Sequence, residues 1–293
     1  MQFFKKNIFL TIILVVLSVF IYYNFTRIVD KNPLINKKDS QYVNDLYMSD
    51  GRIYNEYLDT REKKMYDLLL TNLKTHTRTT EIKLLEFGCS DYQDCSNLIS
   101  MAGEAILVDH PEVMSYAGWR WRYKDGILKL TLDFAVPFAF LESIGEARIE
   151  RIISDIKRDT KNMSEKEKIK YVYNWMGNNT RYDKTFTWSS KNQSVYSVFM
   201  SKEAVCAGFA KASQIIFQNI GVESYGVVGQ TSGPHMWNII EYDGKYYFFD
   251  STVATAIKKN SPHYYDGLKQ EEMNYYIMDF PDWYPEIEKD GIF

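Results

Sequence analysis

The chain has 293 residues, enough for one large domain or two modest ones with buried cores. Charged residues make up 25% and the net charge is only −3, which excludes a polyelectrolyte and gives no basic excess for nucleic acid. Aromatic content is 16%, with 23 tyrosines, and by itself selects no function.

At the N-terminus, Lys5 and Lys6 precede an apolar run from Ile8 to Phe25, broken by Thr11, Ser18 and Asn24. About 18 residues at 1.5 Å each reach roughly 27 Å, near the lower limit for crossing a hydrocarbon core. The run closes on Phe20, Ile21, Tyr22, Tyr23 and Asn24, not on the small residues of a cleavage site, and no Cys follows to accept a lipid. The expectation is an uncleaved signal anchor, with 1–7 cytoplasmic and 8–25 in the membrane. By the positive-inside rule the rest is then extracellular, as a single-pass protein of the cell membrane. A polar linker with Pro33 follows at 26–41.

Residues 42–140 read as a smaller α+β region. Tyr54, Tyr57, Leu58, Met65, Leu68, Leu69 and Leu73 fall at helical spacing, so one amphipathic helix is expected from Tyr54 to Leu73. A strand is expected at Ile82 to Phe87, then a loop or short helix, then turn chemistry at Asp109-His110-Pro111-Glu112. Cys89 and Cys95 are either bridged or free thiols, and their spacing does not suit zinc. The alternating Trp119-Arg120-Trp121-Arg122-Tyr123-Lys124 resembles a nucleic-acid surface, but a hairpin explains it better. A turn at Asp125-Gly126 pairs Lys124 with Ile127 and sets Tyr123, Trp121 and Trp119 opposite Leu128, Leu130 and Leu132.

The composition changes near residue 140. A helix is expected from Leu141 to about Lys161, and a second opens at Ser164, with Glu167 completing a capping box. Cys206 stands where polar Ser201, Lys202 and Glu203 give way to Ala207, Gly208, Ala210, Ala212, Ile215, Ile216 and Ile220, closed by Gly221. A cysteine opening a helix meets unpaired N–H groups and the positive end of the dipole, which favour thiolate. A hairpin follows from Pro234 to about Ser251, turning at Asp243-Gly244. If Tyr242 pairs with Lys245, His235 lies opposite Thr252, and His235 and Asp250 are diagonal neighbours on one face. The acid then fixes the imidazole while its other nitrogen meets the thiol. His76, His110 and His263 have no acid placed for them in this reading.

Glu203-Ala-Val-Cys206-Ala-Gly208-Phe-Ala210, His235-Met-Trp237-Asn238 and Tyr246-Tyr-Phe-Phe-Asp250-Ser-Thr252 together resemble the three motifs of the transglutaminase-like superfamily, over about residues 165–253. Ala204 stands where that family often has glycine. The resemblance implies an α+β, papain-like core, a nucleophile helix packed on an antiparallel sheet, at 141–260. It implies Cys206 as nucleophile, His235 as base and Asp250 as orienting acid. It also implies an upstream aromatic oxyanion donor, assigned to Tyr182 in preference to Trp188, while Trp188 and Trp237 are assigned to the substrate cleft.

The chemistry so implied is acyl transfer through a Cys thioester, needing no cofactor and no metal. Water as acceptor makes a peptidase or amidase on polypeptide or cell-wall peptide, the favoured reading. An amine makes a cross-linking transglutaminase, and a catalytically silent envelope-binding module is the reading from a different class. Acidic residues near Asp279 and Asp282 lack calcium-loop spacing. The tail at 261–293, with Tyr264, Tyr265, Tyr275, Tyr276, Trp283 and Tyr284, is expected to pack on the core or rim the cleft.

Overall fold

Asp59 decides how the first helical stretch folds. In a computed structural model, which describes residues 47, 49–136, 139–185, 191–256 and 274–288, its carboxylate accepts from the N–H groups of Arg61 and Glu62. Glu62 returns the bond to the Asp59 N–H at 2.7 Å. An aspartate that caps cannot also continue a helix. The expected single helix is therefore two, α1 (Arg52–Glu56) and α2 (Thr60–Lys74).

The expected strand at Ile82 to Phe87 is also displaced. The strand β1 is Thr79–Lys83, and Leu84–Phe87 wind a 3₁₀ turn ended by Gly88 at φ 63°. Leu84 and Phe87 are both buried. In a strand, positions three apart face opposite sides, whereas a turn of three residues brings them to one. Cys89 and Cys95 are joined by a disulfide, Cα–Cα 5.2 Å, leading into α3 (Tyr92–Asp109). This helix is 18 residues long, where a loop or short helix was expected.

The hairpin of β2 (Tyr116–Lys124) and β3 (Ile127–Phe134) has the expected register, Lys124 opposite Ile127 and Trp119 opposite Leu132. Asp125 and Gly126 both have positive φ, 51° and 78°, as the two-residue turn requires. Leu128, Leu130 and Leu132 are buried while Arg120 and Arg122 face solvent, although Tyr123 at the tip is 48% exposed. β1 adds to β3, giving the order β1-β3-β2.

Next come α4 (Ala139–Thr160) and α5 (Glu165–Asn179), the latter opened by the Ser164–Glu167 capping box. The short β4 (Arg181–Tyr182) and β5 (Glu203–Ala204) pair in parallel, and α6 is Cys206–Ile220. The second sheet contains β6 (Ser224–Gln230), β7 (Pro234–Tyr242), β8 (Lys245–Phe249) and β9 (Ile277–Met278), in the order β8-β7-β6-β9.

Side chains alternate across this sheet as the pleat demands. Val227, Trp237, Ile239 and Phe248 join the core formed with α2, α3 and the first sheet, and Trp283 and Tyr284 of the tail join it too. Ile240 and Phe249 point the other way, into a core with α4, α5 and α6. The first core therefore runs across the composition change near residue 140. The described residues all lie in one compact unit, Val43–Phe293. Among them no helix is long and apolar enough to cross a membrane. The expected anchor at 8–25 and its linker lie outside the described residues.

Candidate active site

Cys206 is the first residue of α6, and Val205 before it offers no side-chain cap. Gly208 lets the chain pack tightly here, since a Cβ would lie 3.0 Å from both the Ala204 Cβ and the Ser194 carbonyl. The β4–β5 bridge sets Tyr182 beside Ala204, with Arg181 N–H donating to Lys202 O (3.0 Å) and Asp183 N–H to Ala204 O (2.9 Å). From there Tyr182 and Cys206 come close enough for the charge of the thiol to act on the phenol. Burial, then the charge of Cys206, pushes the Tyr182 phenol up to about 12, so it stays a donor at neutral pH.

His235 enters from β7, opposite Gly229 of β6. Strand pairing of β7 with β8 runs from Tyr242↔Lys245 to Asn238↔Phe249, the register that the Asp243-Gly244 turn selects. Asp250 is the next residue, and the His235 Nε2 to Asp250 Oδ2 distance is 2.8 Å. Cys206 lies near enough to the imidazole for its charge to act on the ring, and Nδ1 is the nitrogen that Asp250 does not engage. Cys206, Tyr182, His235 and Asp250 thus meet in one place.

Asp250 is 3% exposed yet well supplied with donors. Oδ1 accepts from the Thr252 N–H at 2.9 Å and the Thr252 hydroxyl at 2.6 Å. Oδ2 accepts from His235 and from the Tyr276 hydroxyl, the latter at 2.8 Å. Burial alone would raise its carboxyl, but the His235 and Thr252 bonds outweigh that and hold it below the ordinary range. Burial alone would lower the His235 imidazole. The Asp250 bond, then the influence of Cys206, reverse the sign and raise it to about 10.

Trp237, expected at the substrate cleft, is only 1% exposed. Its place on the inward side of β7 stacks it beside His235, with ring centroids 5.9 Å apart and planes at 20°. It therefore backs the imidazole and presents no surface to a substrate. Trp188 lies outside the described residues, as does His263. Two other histidines do have acids, contrary to expectation. His76 Nε2 contacts Glu142, and His110 Nδ1 lies 2.5 Å from Glu112. Neither stands beside a thiol, because the other two cysteines are bonded to each other.

Lys211, on α6, is buried with its Nζ 3.1 Å from the Tyr116 carbonyl. Burial lowers its amine to about 7, opposed by the charge of Cys206. Sequence reasoning did not assign Tyr276, Thr252 or Lys211 to this site. For Lys211 the signal was its place amid the apolar face of α6. Among the described residues no group of three or more His, Cys, Asp or Glu is arranged to hold a metal ion.

Residues 152–251 match the family model of the transglutaminase-like superfamily. No curated protein matches the chain. Among solved structures, similar chains include a transglutaminase (19% identity, TM-score 0.32, 50% of this chain and 46% of that one). Another is a candidate cysteine protease from Cytophaga hutchinsonii (13%, TM-score 0.33, 55% and 65%). A third is a candidate protease from Parabacteroides distasonis ATCC 8503 (11%, TM-score 0.30, 45% and 35%). The chain thus spans less than two thirds of the length of each.

Proposed function

We propose that the protein, whose residues 152–251 match the family model of the transglutaminase-like superfamily, is a cysteine acyl-transfer enzyme, a peptidase or amidase acting on envelope or extracellular polypeptides. The observation that carries this is the line from the buried Asp250 through His235 to Cys206 at a helix start, with 2.8 Å between the first two. The Cys206 thiolate attacks an amide carbonyl, forming the C–S bond. The tetrahedral oxyanion is held by the Cys206 N–H and the Tyr182 hydroxyl. His235 gives its proton to the leaving amine as the C–N bond breaks, leaving a thioester. Water, losing a proton to His235, then forms the C–O bond and frees the thiol. An amine in place of water would give a cross-link.

An outward-facing membrane location is part of the proposal. The Cys89–Cys95 disulfide supports it, since such bonds persist in oxidising compartments. Protease added to intact cells should digest the C-terminal part, and its protection would reverse the topology.

The reaction is tested by incubating the full chain with casein or cell-wall peptides and a labelled amine. Fragments that disappear with Cys206→Ala support hydrolysis, while label incorporation would instead support cross-linking. If neither occurs, the reading as an envelope-binding module is favoured.

A further inference from the structure

Asp250 shares one oxygen between two donors, and only one belongs to the proposed relay. The Tyr276 hydroxyl reaches Oδ2 at 2.8 Å, the same distance as His235 Nε2. Its ring also meets the imidazole edge-on, with centroids 6.0 Å apart at 65°, and Trp237 at 5.1 Å and 77°. One side chain therefore touches the acid, the base and the ring behind the base. Tyr276 lies beyond residue 251, where the family match ends. It is delivered by β9, whose Met278 and Ile277 pair with Gly229 and Gln230. Gly229 pairs on its other side with His235.

We propose that Tyr276 is a positioning residue of the Cys206 site, by which a C-terminal segment outside the transglutaminase-like domain holds Asp250 toward His235. This rests on the reading of Cys206 as an activated nucleophile. The groups that bear on Asp250 are His235 from β7, Thr252 from the following turn, Tyr276 from the tail, and Tyr182 across the site. Lys211 acts on Cys206 from within α6. Of the four hydrogen bonds to the carboxylate, two come from Thr252, which directly follows the matched residues, and Tyr276 supplies the one that comes from a separate segment, 26 residues on from Asp250. Without it Oδ2 keeps one donor of its two, and the ionised form is less well supported.

The test is the rate of iodoacetamide alkylation of the full chain as a function of pH. Cys89 and Cys95 are bonded, so the label reports Cys206 alone. Tyr276→Phe keeps the ring and removes one donor. It should slow alkylation near pH 7 by about tenfold, the size of one charge-assisted hydrogen bond. It should also move the low-pH limb to higher pH, because Asp250 takes up its proton earlier. A merely structural role would leave that limb in place. If His235→Ala slows alkylation but Tyr276→Phe follows the wild type in rate and limb, the role of Tyr276 is refuted and the nucleophile stands. If wild-type Cys206 reacts no faster than glutathione and His235→Ala changes nothing, both proposals fall.

Discussion

The Ile277 carbonyl crosses Gly229 so closely that a Cβ on that glycine would lie 2.1 Å from the oxygen, and 2.8 Å from the Trp237 ring. No real Cβ tolerates the first contact, so Gly229→Ala must push β9 away. Tyr276, the residue before Ile277, moves with it. Gly229→Ala should therefore reproduce the slowed alkylation and shifted low-pH limb of Tyr276→Phe without altering any hydrogen-bonding side chain of the site. Alkylation profiles of the two variants check this, and a wild-type profile for Gly229→Ala would show that β9 can shift without releasing Asp250.

Asp250→Ala leaves His235 without its buried partner. Removing one member of such a pair costs about 3–5 kcal/mol. His235 is raised to about 10 from 6.5, so its contribution is complete below about 6.5 and lost as pH rises through 10. Asp250 is depressed below 3.8, so its contribution is present above that value and lost as pH falls. The stability gap between wild type and Asp250→Ala, measured by urea unfolding, should be widest between those two ordinary values. Alkylation at pH 7 should fall at least tenfold. A gap that is flat with pH would contradict the pairing.

Tyr182→Phe separates two roles. Alkylation of a thiol develops no oxyanion, whereas amide attack does. The variant should alkylate within about twofold of wild type yet turn over casein about 100-fold more slowly, the usual scale for losing an oxyanion donor. Equal losses in both assays would mean that Tyr182 acts only on the thiol.

Away from the site, Glu146 is 6% exposed and raised to about 7 by burial, then by Glu142, against an opposing effect of His76. A carboxyl whose folded value exceeds its unfolded 4.5 costs stability as pH rises through 7. Glu146→Gln removes that cost, roughly 3 kcal/mol at pH 8 by the size of the shift. Thermal melts should show the variant more stable than wild type at pH 8 and little different at pH 5. The opposite ordering would mean that Glu146 is ionised and paired in the fold.

What could be read from the residues depended on how local the determinant was. Asp125-Gly126 and Asp243-Gly244 fix two registers within a few residues, and the second suffices to bring His235 to Asp250. The Ser164 and Gly221 signals likewise act within one helical turn. Tyr276 was placed only in a tail packing on the core or rimming the cleft, and its bond to Asp250 was out of reach, because a two-residue strand has no periodicity and Asp250 lies across a long intervening segment. The break at Asp59 was hidden because Tyr54, Tyr57 and Leu58 before it stay in helical spacing with Met65, Leu68 and Leu69 after it. Glu112, two residues from His110, was visible and was passed over as turn chemistry. Glu142 beside His76 was not, since only the tertiary fold joins α4 to the end of α2.

The tail meets the second sheet at both margins. β9 lies along β6, while Ile287 bridges to Tyr246 of β8, the Glu288 N–H donates to the Tyr246 carbonyl at 2.8 Å, and Lys245 pairs with Glu288 at 2.9 Å. Strand margins left bare recruit other chains by hydrogen bonding. A chain clipped so as to lose residues 274–288 would therefore expose two such margins at once. Self-association of the clipped form, more than its lost activity, would be the first visible sign of damage.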